Sequence, residues 1–351
     1  MANLAFNNVG ISGISSCVPV NVSRNIDMAG IIPQSEIEKT INSIGIKEKR
    51  FVDSNTCASD LCYYSAEKLI DSMNIDKNSI DVLIFMSQTP DFKIPATAPF
   101  LQNKLGLSKS TAAFDMNLAC SGYVYSLSVA FAFASIPGIR KVLLLDGETF
   151  TKIVNPKDKV NAPLYGDAGT ATIIEKGDFG SSFFSLGTDG SGSDAIKIDA
   201  GGSRNPSNSE NLSEKTDIEG NLRSQNQLYM NGLEVFNFTM REVPRDIKNI
   251  LAYSETPIES LDYMVFHQAN KFMIDFFSKK LKLPSEKVPL CLDKYGNTSS
   301  SSIPLTISSE LHADLKNSRK KILMSGFGAG LSWGSAIMDL NNCNVLPVSE
   351  F

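Results

Sequence analysis

No Cys-x-x-Cys pair occurs in this chain of 351 residues, and it holds only two histidines, so the ligand spacing of a zinc site is missing. The six cysteines (Cys17, Cys57, Cys62, Cys120, Cys291, Cys343) are scattered, which excludes a disulfide framework and fits a reducing cytoplasm. Neither a metal nor another cofactor is expected. Basic residues form no long runs and the net charge is −5, which argues against nucleic acid as a partner. No apolar run reaches the roughly 20 residues needed to cross a bilayer. Met1-Ala2-Asn3-Leu4-Ala5-Phe6 also lacks a basic stretch followed by an apolar one, so neither a membrane nor a secretory route is expected. What is present is a hydrophobic content of 42%, enough for a substantial core or two related ones.

Short apolar runs at 81–86 and 141–145, and again at 262–266 and 321–324, read as buried strands with helical segments between them. This alternation predicts an α/β architecture of two similar layered halves, 1–180 and 181–351. The junction precedes a Gly-, Ser- and Asn-rich stretch from Gly187 to Gln227, which reads as a surface connection or as a mobile cover over a substrate entrance. Between the first two of these runs, the segment from Cys120 through Ala134 is apolar on all sides. It predicts a helix buried all round, running through the centre and ending at Pro137-Gly138.

Cys120 stands where the strand-like run 113–118 meets that helix. A thiol there feels the positive helix end and unpaired N–H groups, which favour a nucleophilic thiolate. His267 follows the strand at 262–266 and is trailed by Gln268 and Asn270, the pattern of a side chain delivered to a cavity at a strand end. The other histidine, His312, lies in a polar helical pattern and reads as solvated. Asn297 sits in Tyr295-Gly296-Asn297-Thr298-Ser299, which by itself is also a turn signal. The glycine-rich run from Ser325 to Gly334 either makes a tight turn or offers backbone N–H groups to a thioester oxygen.

Taken together, Asn117-Leu118-Ala119-Cys120-Ser121-Gly122, His267-Gln268-Ala269-Asn270, Tyr295-Gly296-Asn297-Thr298-Ser299 and Gly326-Phe327-Gly328-Ala329-Gly330 closely resemble the β-ketoacyl-acyl-carrier-protein synthase III enzymes of the thiolase superfamily. The resemblance extends over nearly the whole chain. It implies a thiolase-like fold with a five-layered αβαβα core of two βαβ-type halves, and a homodimer. It also implies a catalytic set of Cys120, His267 and Asn297, with the N–H groups of Cys120 and Ala329 as oxyanion donors. Cys120 would take an acyl group from an acyl-CoA or acyl-carrier-protein donor. His267 and Asn297 would then support decarboxylation of malonyl-acyl-carrier protein and attack of the carbanion on the acyl-cysteine, giving a 3-oxoacyl-carrier protein and CO2. An asparagine fits this role because a carboxamide donates hydrogen bonds but removes no proton at neutral pH.

The same resemblance assigns Ile94, Phe327 and Lys159 to the acyl or substrate pocket, with Ile94 crossing the dimer interface. Lys271, Lys279 and Lys280 become carrier-docking residues. Residues 271–287 carry five lysines against two acidic residues, a local sum of +3 that would attract an acidic carrier. Two departures concern the donor. No tryptophan stands in Glu36-Ile37-Glu38-Lys39-Thr40-Ile41, where the best-known members stack one on the coenzyme A adenine, and Ser43 replaces a phosphate-binding arginine. A carrier-bound donor is therefore an alternative to coenzyme A. A papain-like peptidase shares the order Cys, His, Asn but lacks any counterpart to the glycine-rich segment. The other competing activity is acyl transfer from Cys120 to an oxygen or nitrogen acceptor without condensation.

Overall fold

The computed structural model describes residues 1–316 and 318–351. Its principal strands are β1 (Ala2–Val18), β2 (Ile80–Met86), β3 (Ala112–Met116), β4 (Lys141–Thr149), β5 (Asp167–Thr188), β6 (Tyr263–Phe266), β7 (Arg319–Gly328) and β8 (Ser332–Asn341). They join in the order β6-β7-β8-β5-β4-β2-β3, with β1 along the free side of β5. The two longest strands make this a double structure. The first part of β5, residues 167–175, pairs with β4, and its last part, 183–188, pairs with β8. β1 follows β5 antiparallel through both parts, with a register shift after Asn7 where the pair passes from one to the other and a second after Ile11, inside the first part. Each half is thus a group of five strands that shares β1 and β5. The border expected at 180/181 falls inside β5, but Ala2–Asn7 pairs with Ser181–Leu186, so the chain's first strand serves both halves.

Helices complete five layers. Helix α1 (Ala58–Ser72) covers the outer face of the first group. Helices α3 (Gly232–Tyr253) and α4 (Lys271–Leu281) cover the outer face of the second. Between the groups run α2 (Gly122–Ser135) and the successive turns Ser299–Ser301, Ser302–Thr306, Ile307–Leu311 and His312–Leu315. A central helix is there, but it is not buried on every side as expected: Tyr125, Val129 and Phe133 are half-buried and Ala132 is exposed. Tyr123, Val124, Leu127 and Phe131 are fully buried in one apolar cluster with Ile303, Ile307 and Leu311. Each such large side chain contributes roughly 2–3 kcal/mol by leaving water. The hydroxyls of Ser126 and Ser128 donate back to the carbonyls of Gly122 and Tyr125, both at 2.7 Å, so neither is left unsatisfied in an apolar layer. The helix ends at Ser135, just ahead of Pro137.

The 187–227 stretch is a connection with some order of its own. Ile196–Lys197 pairs with Tyr229–Met230, and a small hairpin pairs Lys215–Thr216 with Leu222–Arg223. Arg223 holds the hairpin to the body by bridging Asp158, at 2.9 Å, and Asp217.

Candidate active site

Cys120 lies in the turn after β3, two residues ahead of α2. Strand β7 presses against it with bare backbone: a Cβ on Gly328 would lie 3.1 Å from Cys120 Sγ, and one on Gly326 would lie 2.8 Å from the Cys120 carbonyl oxygen. Only glycine lets the strand approach this closely. His267 follows β6 directly and is buried. Asn297 is fixed by backbone pairing, its N–H donating to Leu164 O at 2.8 Å and its carbonyl accepting from Gly166 N at 3.1 Å. The three side chains, from three separate parts of the chain, line one cavity of about 230 Å³ together with Phe327, Tyr165 and Met230.

Hydrogen bonds define what each side chain has left to offer. Asn297 Oδ1 accepts from the Ser299 N–H at 2.9 Å, which assigns the amide orientation and leaves the Nδ2 hydrogens for a ligand. His267 Nδ1 lies 2.8 Å from Ser302 Oγ, and the Phe327 ring stands edge-on to the imidazole at a centroid distance of 5.3 Å. Cys120 Sγ contacts Ser299 Oγ at 3.5 Å.

Burial sets the charge states. The imidazole of His267 is driven down to about 3 by loss of solvent, so it is neutral at physiological pH. The thiol of Cys120 is pushed up to about 12, chiefly by burial and then by the charge of Glu148, with the Ser299 hydroxyl acting in the opposite sense. This corrects the expectation of a standing thiolate. The helix begins at Gly122 rather than at the cysteine, the neighbouring imidazole is uncharged, and removal from water dominates. The resting group is a thiol.

Behind it lies a buried acidic pair that sequence reasoning did not single out. Asp146 and Glu148 point to the same side of β4; both are buried and both are raised to about 8, mainly by desolvation. Glu148 is held by Gln88 N and Thr89 Oγ1, while Asp146 takes one hydrogen bond from Ser300 Oγ at 2.6 Å.

The remaining expected residues divide. Phe327 is in the cavity wall. Ala329 follows Gly328 in the turn that ends β7, with its carbonyl held by Ser332 Oγ at 2.9 Å. Ile94 is 89% exposed and outside the Cys120 cavity. Lys159 does not line it either: the hairpin at 215–223 folds over this region and supplies the Glu219 carbonyl to its ammonium. Lys271 pairs with Asp275 at 2.5 Å, and Lys279 and Lys280 are exposed at the end of α4. His312 is half-buried, its Nδ1 2.9 Å from the Ser308 carbonyl. Ser43 lines the cavity, as do Ile196, within the 187–227 stretch, and Met230, three residues beyond it.

A thiol, a neutral imidazole and a carboxamide that donates, facing one cavity between two half-sheets, are the groups that acyl transfer through a cysteine calls for. Residues 114–190 match the family described as 3-oxoacyl-[acyl-carrier-protein (ACP)] synthase III, and residues 251–340 match its C-terminal part. A Campylobacter jejuni protein provisionally named 3-oxoacyl-[acyl-carrier-protein] synthase 3 is 37% identical over 352 positions, covering 97% of each chain. The β-ketoacyl-[acyl-carrier-protein] synthase III of Clostridium acetobutylicum is 35% identical, with 95% of this chain and 98% of that one covered. The crystal structure of a 3-oxoacyl-(acyl-carrier protein) synthase from Burkholderia xenovorans LB400 matches with a TM-score of 0.93 at 36% identity, over 100% of this chain and 99% of that one. This chain belongs to the β-ketoacyl-acyl-carrier-protein synthase III family and has its thiolase-like fold.

Proposed function

We propose that the chain carries out the decarboxylative Claisen condensation of a 3-oxoacyl-acyl-carrier-protein synthase III at Cys120. The observation that carries this reading is the meeting of Cys120, His267 and Asn297 in one cavity, with the Asn297 Nδ2 hydrogens uncommitted. Cys120 Sγ attacks the donor thioester carbonyl, and its proton leaves with the departing thiol. The N–H groups of Cys120 and Ala329 stabilise the oxyanion of that step. Malonyl-carrier protein then places its thioester oxygen against His267 and Asn297. As the carboxylate departs as CO2, the electron pair of the broken bond moves into the enolate, whose oxygen takes both hydrogen bonds. The enolate carbon attacks the acyl-cysteine carbonyl, and the sulfur of Cys120 leaves and regains a proton.

Both partners are carrier proteins on this reading. Among the described residues no lysine or arginine lines the cavity, and Ser43, which by the resemblance replaces a phosphate-binding arginine, stands in its wall. That favours a carrier-bound donor. The exposed Lys279 and Lys280 at the end of α4 suit an acidic carrier. Among the described residues no helix is long and apolar enough to cross a membrane, and all six cysteines are free, in keeping with a reducing cytoplasm. Ile94, Phe92 and Phe100 are all exposed, the two phenylalanine rings meeting edge-on at a centroid distance of 6.3 Å, which suits the interface of a homodimer that covers Ile94. Intact-mass measurement of acyl-Cys120 formed from matched acyl-CoA and acyl-carrier donors tests the donor assignment. Faster loading from the carrier is expected, and equal or faster loading from coenzyme A would overturn it.

A further inference from the structure

We propose that Ser302 is a positioning residue that holds His267 in the tautomer carrying its proton on Nε2, so that the imidazole enters the reaction already set to donate a hydrogen bond. The argument rests on hydrogen-bond accounting around one hydroxyl. Ser302 Oγ lies 2.8 Å from His267 Nδ1 and accepts from the Gln268 N–H at 3.2 Å. Having accepted the amide hydrogen, the hydroxyl still has its own proton to give. Among the described residues the acceptor in hydrogen-bonding position is Nδ1. A neutral imidazole that accepts at Nδ1 carries its hydrogen at Nε2.

Three features make the arrangement a fixed device. Ser302 is buried and opens a helical turn, its own carbonyl accepting from Thr306 Oγ1 at 2.7 Å. Gln268, next to the histidine, is anchored through its side chain to Phe266 O at 2.9 Å and Cys291 N at 3.2 Å, so the amide that orients the hydroxyl is itself immobile. Phe327 stands against the ring and limits its rotation. The consequence deepens the reading given above and rests on it. An Nε2–H imidazole stabilises the enolate oxygen but takes no proton from Cys120, so the thiol proton must leave with the donor thiol. Ser302 therefore matters for the condensation half of the cycle and little for acylation.

The chain's composition suits the test. With two histidines, protein labelled with 15N-histidine shows two rings, and His312 serves as an internal reference. Its Nδ1 faces a carbonyl, which can only accept, so that ring in its neutral form should carry its hydrogen on Nδ1, the reverse of His267. Long-range proton–nitrogen spectra at about pH 9, where an ordinary histidine is neutral, should show the two opposite tautomers, assigned with His312→Gln. An Nδ1–H signal for His267 would overturn the proposal. In Ser302→Ala, decarboxylation by the acyl-enzyme should fall by about tenfold while acylation of Cys120 changes by less than about threefold, and Ser302→Thr should restore most of the loss. Unchanged decarboxylation in folded Ser302→Ala, or equal loss of both half-reactions, would also overturn it. Absence of CO2 release from the wild type would sink the condensation reading and leave the tautomer assignment to stand or fall on the spectra.

Discussion

The two walls of the catalytic cavity come from similar halves of the molecule and are backed by opposite kinds of chemistry. Behind Cys120, on β4, stand the buried carboxyl groups of Asp146 and Glu148; behind His267 and Asn297 stand the serines of the 299–302 turns. Carboxyl groups discourage a negative sulfur, whereas hydroxyl and amide partners fix the hydrogens of the opposite wall without adding charge. Both walls are consequently neutral at rest. On the proposed reading charge arises only during reaction, at a thioester oxygen facing the fixed donors, which is how a desolvated site stabilises an intermediate without stabilising a resting ion.

Breaking the C-terminal wall should have the largest effect. Asn297→Asp replaces two donated hydrogens by a carboxylate, and malonyl decarboxylation should drop by about 10²–10³-fold. Acylation of Cys120, followed by intact mass, should remain within about threefold, since the amide plays no part in it. Equal loss of both half-reactions would remove the division of labour between the walls.

A smaller effect is expected outside the cavity. Charge reversal of Lys279 and Lys280 to Glu should raise the KM for malonyl-carrier protein by about tenfold and leave a small malonyl thioester unaffected, because steering acts on the carrier and not on the chemistry. The same change in KM for both substrates would exclude docking on α4.

The smallest effect sharpens the N-terminal wall. The folded carboxyls of Asp146 and Glu148 titrate at about 8, above their unfolded values. Stability drawn from this pair is therefore complete below the ordinary carboxylate range and is lost as pH rises through about 8. Asp146→Asn should flatten the fall in Tm between about pH 4 and 8. It should also shift the pH midpoint of Cys120 alkylation downward by a fraction of a unit, since the Asp146 charge opposes the thiolate. An upward shift would mean that the acidic pair assists ionisation.

The sequence showed the cavity's three principal side chains because each stands in a short local motif, Cys120 and His267 after a strand and Asn297 in the turn after a short helix. It showed α2 because a helix apolar on every side has few other places to be. It did not show the serines that organise these groups. Ser299 and Ser302 lie in a polar run, Ser299-Ser300-Ser301-Ser302, whose members differ only in the direction each faces once the turns form. Asp146 and Glu148 were likewise hidden at the end of an apolar strand, where acidic residues ordinarily mark emergence into solvent. The ionisation of Cys120 was misread for a related reason: a helix start is visible in sequence, but the loss of solvent that outweighs it comes from β7 packing against the turn. Lys159 is a case of distant sequence meeting in space, since nothing local announces that the hairpin at 215–223 will reach it.

The most direct test is the stoichiometry of CO2 release. Enzyme loaded at Cys120 with an acyl group and mixed with malonyl-acyl-carrier protein labelled in the free carboxyl should release labelled CO2 in equimolar amount with 3-oxoacyl-carrier product. Loss of the acyl group to an oxygen or nitrogen acceptor without CO2 would contradict the assignment of a condensing site.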